Sequence, residues 1–175
     1  MRRFTLASLV LLFLTACAGR PDIDEQAATP ELNLEEYFEG QTRAYGQFQD
    51  ILGNVSRRFT VDITGTWDGE TLVLVEDFDY SDGTTEQRIW TLAKTGPETW
   101  EGTAPGVIGV ATGREQGHAF QWQYRIDLPI GDGETLRVGF DDYMWLQPDG
   151  RLLNRAYMSR FGLPVGEVII WFEQV

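Results

Sequence analysis

The chain has 175 residues, with 27 acidic residues against 14 basic ones, a net charge of −13 and a single cysteine. Such acidity repels phosphate backbones, which argues against nucleic acid as a partner, and one cysteine excludes an internal disulfide. The length favours one domain with a core large enough to fold without covalent staples.

Arg2 and Arg3 head the chain, and Phe4 through Leu14 form an apolar run too short to span a bilayer comfortably. Leu14-Thr15-Ala16-Cys17 closes that run and resembles the lipobox of bacterial lipoprotein signals. The resemblance implies removal of residues 1–16, a diacylglyceryl group on the Cys17 thiol and an acyl chain on its new amine. Burial of acyl chains, at roughly 0.8 kcal/mol per CH₂, would make release from a membrane slow. Loss of Arg2 and Arg3 with the signal leaves 159 residues of net charge −15. No aspartate follows Cys17, and in the common sorting pattern that implies the periplasmic face of the outer membrane, with the lipid anchor as the membrane partner. Residues 17–32 are polar and small, contain Pro21 and Pro30, and lack an apolar period. They read as a flexible tether of roughly 20 Å in coil dimensions.

The folded domain is expected over 33–175. Asn33, with Glu36 three residues later, offers an N-cap for a short helix that Gly40 ends. Beyond Arg57 the apolar period becomes two, and strands are predicted at 57–64, 71–80, 86–94, 98–104, 108–112, 118–128, 134–143, 151–160 and 165–174. Asp68-Gly69, Asp82-Gly83, Gly131-Asp132-Gly133 and Asp149-Gly150 supply the turns. The clearest alternation sets Phe120, Trp122, Tyr124, Ile126 and Leu128 against Ala119, Gln121, Gln123, Arg125 and Asp127. Many short antiparallel strands joined by hairpins favour an all-β, up-and-down, lipocalin-like (calycin-like) barrel, with a β-sandwich as the alternative. Arg57-Arg58, Glu76-Asp77 and Asp141-Asp142 inside the strand runs argue against a barrel whose outer wall faces lipid.

Chemistry-bearing residues are sparse. His118 is the only histidine, so a histidine-based metal site lacks a second ligand, and the residue reads as structural. Asp77, Asp79 and Asp82 surround a hairpin tip but miss the calcium-loop spacing. Gly102 to Gly117 is glycine-rich without the Gly-Lys-Ser/Thr of a phosphate loop. The adjacent pairs Glu76-Asp77 and Asp141-Asp142 point to opposite faces of their strands, so neither is a catalytic dyad by itself. Inward carboxylates are expected to meet Arg88, Arg125 or Arg155 in buried ion pairs. The six tryptophans are mostly core, yet a barrel this rich in large rings can enclose an apolar ligand.

Several segments occur together: Gly65-x-Trp67-x-Gly69, Glu76-x-Phe78-x-Tyr80-x-Asp82-Gly83, Arg88-x-Trp90, Trp100-x-Gly102-x-Ala104, Trp122-x-Tyr124, Phe140-Asp141-Asp142-x-Met144 and Asn154-Arg155-x-x-Met158-x-x-Phe161-Gly162. From about residue 33 to the C-terminus they resemble the proteobacterial lipoproteins grouped as domain of unknown function family 3833. The resemblance implies a small exported lipoprotein with a lipocalin-like barrel, and it implies no activity and no catalytic residues. The expected function is binding of an apolar or amphipathic small molecule, such as a lipid, with no cofactor and no metal. Candidate ligand contacts are Trp90, Trp122, Tyr124, Arg125, Phe140, Asp141, Asn154 and Arg155. The alternatives are an accessory protein that binds another protein, its identity open, and a hydrolase using Asp141, Glu76 or Arg155.

Overall fold

The computed structural model describes residues 19–131 and 133–175. The signal sequence and Cys17 lie outside the described residues. Ten antiparallel strands follow one short helix: α1 (Leu34–Phe38), β1 (Gly40–Asp50), β2 (Val55–Trp67), β3 (Thr71–Tyr80), β4 (Thr85–Lys94), β5 (Thr99–Thr103), β6 (Ala111–Gln116), β7 (Ala119–Gly131), β8 (Glu134–Leu146), β9 (Leu152–Arg160) and β10 (Leu163–Gln174). Each strand pairs with its neighbours in sequence, and β1 pairs with β10, so the sheet is a closed up-and-down barrel. The expected lipocalin-like architecture is therefore present, with one strand more than the alternation announced.

The extra strand is β1. Its inward positions are Thr42, Ala44, Gly46 and Phe48, and only the last is a large apolar side chain. Gly46 is small for a reason: a Cβ there would stand 2.2 Å from the Phe59 ring carbon Cζ. The 108–112 strand is displaced to β6, and Val107 makes only an isolated bridge to Ile126.

Helix α1 closes one end of the barrel. Leu34, Tyr37 and Phe38 are buried, and the Phe38 ring meets Phe172 edge-on at 5.6 Å. Asn33 occupies the cap position with extended backbone but makes no side-chain cap hydrogen bond. Glu115 replaces it: the Leu34 N–H donates to Glu115 Oε1 at 2.6 Å, and Lys94 pairs with both Glu35 and Glu115. Beneath the helix pack Leu72, Trp100, Phe120 and Leu152, all essentially solvent-free. Burial of side chains of this size contributes roughly 2–3 kcal/mol each as an upper figure.

Residues 19–32 do not hang free as the tether reading expected. They run along the outer wall over β6 to β9. Leu32 N–H donates to Gly117 O, His118 N–H to Ala27 O and Trp145 Nε1–H to Gln26 Oε1. Asp24 pairs with Arg114, and the Arg20 guanidinium lies 3.9 Å from the Tyr157 ring centroid and reaches Asp141. This strap buries Tyr143, whose side chain points outward from β8. Its contacts are polar and backbone-mediated, which is why no apolar period marks it.

Elsewhere the outer wall mixes charged side chains with apolar ones such as Tyr45, Leu153, Ile169 and Trp171. Arg43–Asp62, Arg137–Asp127 and Arg155–Glu167 are cross-strand ion pairs on it. These charges interrupt the apolar side chains of the wall among the described residues.

Gly65 lies directly under α1, where an added Cβ would sit 1.7 Å from the Phe38 carbonyl oxygen. Gly65→Ala must displace the helix, and chemical denaturation should show a loss of about 2 kcal/mol or more. Unchanged stability would mean that α1 does not plug the barrel.

Candidate functional site

Side-chain alternation in a closed barrel sends every second residue inward. Here the inward set does not fill the interior. A cavity of about 470 Å³ runs from Leu34 and Phe38 of α1 toward the hairpin tips at the far end, where Asp50, Ser56, Pro129 and Val165 line it. Its walls are mostly apolar: Phe59, Phe78, Trp90, Trp122, Tyr124, Phe140, Met144 and Met158. The rings form a continuous network, with Trp90 edge-on to Trp122 at 5.6 Å and to Tyr124 at 5.2 Å. Tyr124 in turn stacks on Phe140 at 5.0 Å.

Of the eight candidate contacts, five point into this cavity: Trp90, Trp122, Tyr124, Phe140 and Asn154. Arg125, Asp141 and Arg155 do not. Each is the chain neighbour of an inward residue, and the period-two alternation puts it on the outer wall. Arg155 there pairs with Glu167 at 2.6 Å, and Asp141 accepts from Gln121 and Gln123 beneath Arg20. The trio Asp141, Glu76 and Arg155 therefore does not converge, which removes the basis of the hydrolase reading. Likewise Arg88, and neither Arg125 nor Arg155, meets the inward carboxylates.

Inside the apolar wall sits a polar cluster of which the candidate contacts include only Asn154. Glu76 on β3 is opposite Arg88 on β4 in register. Arg88 pairs with Glu86 at 3.0 Å, and the Tyr80 hydroxyl donates to the other oxygen of Glu86 at 2.9 Å. Across the barrel, Asp142 on β8 and Asn154 on β9 point in at similar depth. Asn154 is fully buried, and its Nδ2 donates to Tyr143 O at 3.3 Å. Asn154 Oδ1 and Asp142 Oδ1 have no hydrogen-bond partner among the described residues. Two unpartnered acceptors facing a cavity are poised for hydrogen-bond donors.

The electrostatics follow from burial. Desolvation pushes the Glu76 carboxyl up to about 7, with Arg88 opposing. What accessible surface Glu76 keeps faces the cavity, so bulk water does little to solvate its charge. Desolvation, reinforced by Asp141, also pushes Asp142 well above the usual carboxylate range. Burial pulls the Arg88 guanidinium down, but Glu76, Tyr124 and Glu86 more than offset it and the pKa is raised. Near neutral pH the cavity thus holds the Arg88 cation beside a Glu76 close to its midpoint, with Asp142 displaced in the same direction as Glu76.

His118 lies on the outside, its Nδ1 2.9 Å from Ala27 O. Asp82 is engaged by Arg57 and Thr84, and Asp77 by Gln87. No group of three or more His, Cys, Asp or Glu side chains suited to a metal ion occurs among the described residues.

Fold and cavity together define a lipocalin-like barrel. The S-type phycobiliprotein lyase CPES from Guillardia theta has a similar structure, with a TM-score of 0.58 at 11% identity, covering 81% of this chain and 90% of that one. That likeness establishes the fold. Residues 11–174 match the family described as protein of unknown function (DUF3833), and the chain belongs to that family. No curated protein matches it.

The shift at Glu76 has a sign that can be measured. A carboxyl at about 7 in the native state and about 4.5 when unfolded binds its proton more tightly in the fold. The stability this confers is complete below pH 4.5 and is lost as pH rises through 7, on the order of 3 kcal/mol in full. Asp142 acts in the same direction. The lowered carboxyls Asp50, Asp68, Asp82, Asp127 and Asp149 titrate below this window. Denaturation midpoints should therefore fall between pH 5 and 8.5, and Glu76→Gln should flatten that fall. An unchanged slope in the variant would place the effect elsewhere.

Proposed function

We propose that this protein is a lipid-anchored envelope binder of an amphipathic small molecule, taken up in the barrel cavity. The single observation that carries the reading is the pairing of an open, ring-lined cavity with a compact polar cluster on its walls. An apolar chain or ring system fits against Trp90, Trp122, Tyr124 and Phe140. Its polar end meets Arg88 and Glu86 on one side and the free oxygens of Asp142 and Asn154 on the other. A head group carrying hydrogen-bond donors suits this arrangement, because it satisfies acceptors that are costly to leave bare. The likeness to a phycobiliprotein lyase supports the reading only in showing that the fold is shared with such a protein.

The anchor at Cys17, the periplasmic location and attachment to the outer membrane belong to the same proposal. They rest on the basic head, the apolar run and the lipobox-like Leu14-Thr15-Ala16-Cys17. Radiolabelled palmitate should be incorporated by the native chain and not by Cys17→Ala. Equal labelling of both would remove the anchor from the reading.

Ala156 faces the cavity from β9, between Asp142 and Val168 in register. Ala156→Trp fills the cavity without adding charge. Titration with the apolar fluorophore N-phenyl-1-naphthylamine should give saturable binding to the native chain and at least tenfold weaker binding to the variant. Native mass spectrometry of gently purified protein should show a co-purifying molecule that the variant lacks. Equal affinity in both would exclude the cavity as the binding site.

A further inference from the structure

The hairpins β1–β2 and β9–β10 stand side by side at the open end, because β1 pairs with β10 and Asp50 is opposite Gly166. Their tips are apolar and exposed. Ile51, Leu52 and Val55 occupy one, and Phe161, Leu163 and Val165 the other, with Leu52 82% and Phe161 91% exposed. Six of the ten large apolar side chains exposed among the described residues are gathered there. Val165 also lines the cavity, so the patch continues into its mouth. Phe161 is doubly unfavourable for stability: it stands in water, and its φ of 51° puts a bulky residue in the left-handed region ahead of Gly162. A two-residue hairpin favours Asn or Asp at that position. A position that the fold alone would fill otherwise points to a contact outside the fold.

Charge at this end is as uneven as hydrophobicity. Arg58, Arg125 and Arg160 are the arginines that form no ion pair among the described residues. All three lie toward the mouth: Arg58 beside the β3–β4 turn, Arg125 opposite Gly139, and Arg160 at the tip over the Phe161 ring. The one carboxylate at the two tips, Asp50, is occupied by its own turn through Leu52 N–H and the Asn54 amides. In a chain of net charge −13, the unpaired cations sit at the same end as the exposed apolar side chains.

The strap supplies a direction. From Leu32 at the closed end it climbs the outer wall to Arg20, which lies over Tyr157. Tyr157 is three residues from the tip of β9, about 10 Å at the usual strand rise. The three peptide steps from Arg20 back to Cys17 can reach a further 10 Å or so. The described chain therefore reaches Arg20 on the mouth side of the wall, three residues short of Cys17.

We infer that the two hairpin tips seat the barrel mouth-down on a phospholipid bilayer surface. Leu52 and Phe161 enter the interface, Arg58, Arg125 and Arg160 face the head groups, and the cavity opens toward the layer from which an amphipathic molecule would enter. This deepens the cavity reading and rests on it for the purpose of the contact, while the seat itself is measured separately.

The chain from Cys17 onward holds every strand and the whole core, and its single thiol allows coupling to a maleimide lipid whatever happens in cells. On vesicles of phosphatidylethanolamine and phosphatidylglycerol containing dibrominated phosphatidylcholine, the added emission of Phe161→Trp should be quenched at least threefold more than that of Glu98→Trp at the closed end. Should Phe161→Trp fail to fold, Leu52→Trp puts the reporter on the neighbouring tip. Equal quenching at both ends would overturn the inference. So would lipid-free dimerisation that Leu52→Ser/Phe161→Ser abolishes, since the tips would then belong to a second copy. N-phenyl-1-naphthylamine titration of that double variant without vesicles reads the cavity alone, so failure of the seat and failure of the binder are told apart.

Discussion

Pairing between β1 and β10 carries the rest of the structure. Nine residue pairs, from Thr42 with Gln174 to Asp50 with Gly166, turn a ten-stranded ribbon into a ring. Without them the sheet would present two raw edges and no enclosed interior. Closure makes the inward set of every strand face a common space, and it sets the β1–β2 and β9–β10 tips next to each other. The C-terminal strand also holds the plug: the Tyr37 hydroxyl donates to Phe172 O, and Gln174 Nε2 donates to Tyr37 O. One seam thus fixes the wall, the closed end and the composition of the mouth.

Within that ring the two halves obey different rules. Below, α1 and the Leu72, Trp100, Phe120 and Leu152 layer exclude solvent, as a core does. Above, space is left open and charge is admitted. A buried charge without a partner is strongly destabilising, whereas a matched cluster is tolerated at little net gain. Arg88 and Glu86 follow the matched pattern, and burial makes the Asp142 proton harder to remove. A core selected for stability alone would replace this cluster with leucine and isoleucine. Its place beside an open volume is what the proposed binding role asks of the interior.

How much of this was legible depends on what each residue shows in the chain. β7 announces itself because Phe120, Trp122, Tyr124 and Ile126 are all large on the inward side. β1 is silent because Thr42, Ala44 and Gly46 are small, and at Gly46 the Phe59 ring occupies the space a side chain would need. Among the candidate contacts, strand parity alone divides Tyr124 from Arg125 and Asn154 from Arg155. Parity also marks Glu76, which falls in the register of Leu72, Leu74, Phe78 and Tyr80 where an apolar residue is the norm. What no pattern carries is depth and opposition across the barrel, which bring Asp142 to face Glu76 from a strand five places away in the ring. The strap is invisible for a third reason, since its hold is made by Ala27 O, Gln26 and Arg20 rather than by an apolar face.

Lys94 is the only lysine in the chain, and its ammonium group is held by Glu35 and Glu115 where α1 meets the wall. Side-chain amine chemistry on this protein therefore has one address, at the plug. A reagent that acylates the amine must wait for the contact with both carboxylates to open, and once attached it leaves them facing each other without a cation. The rate of modification at that single nitrogen is then a clock for local opening of the closed end, readable by mass without any engineered probe.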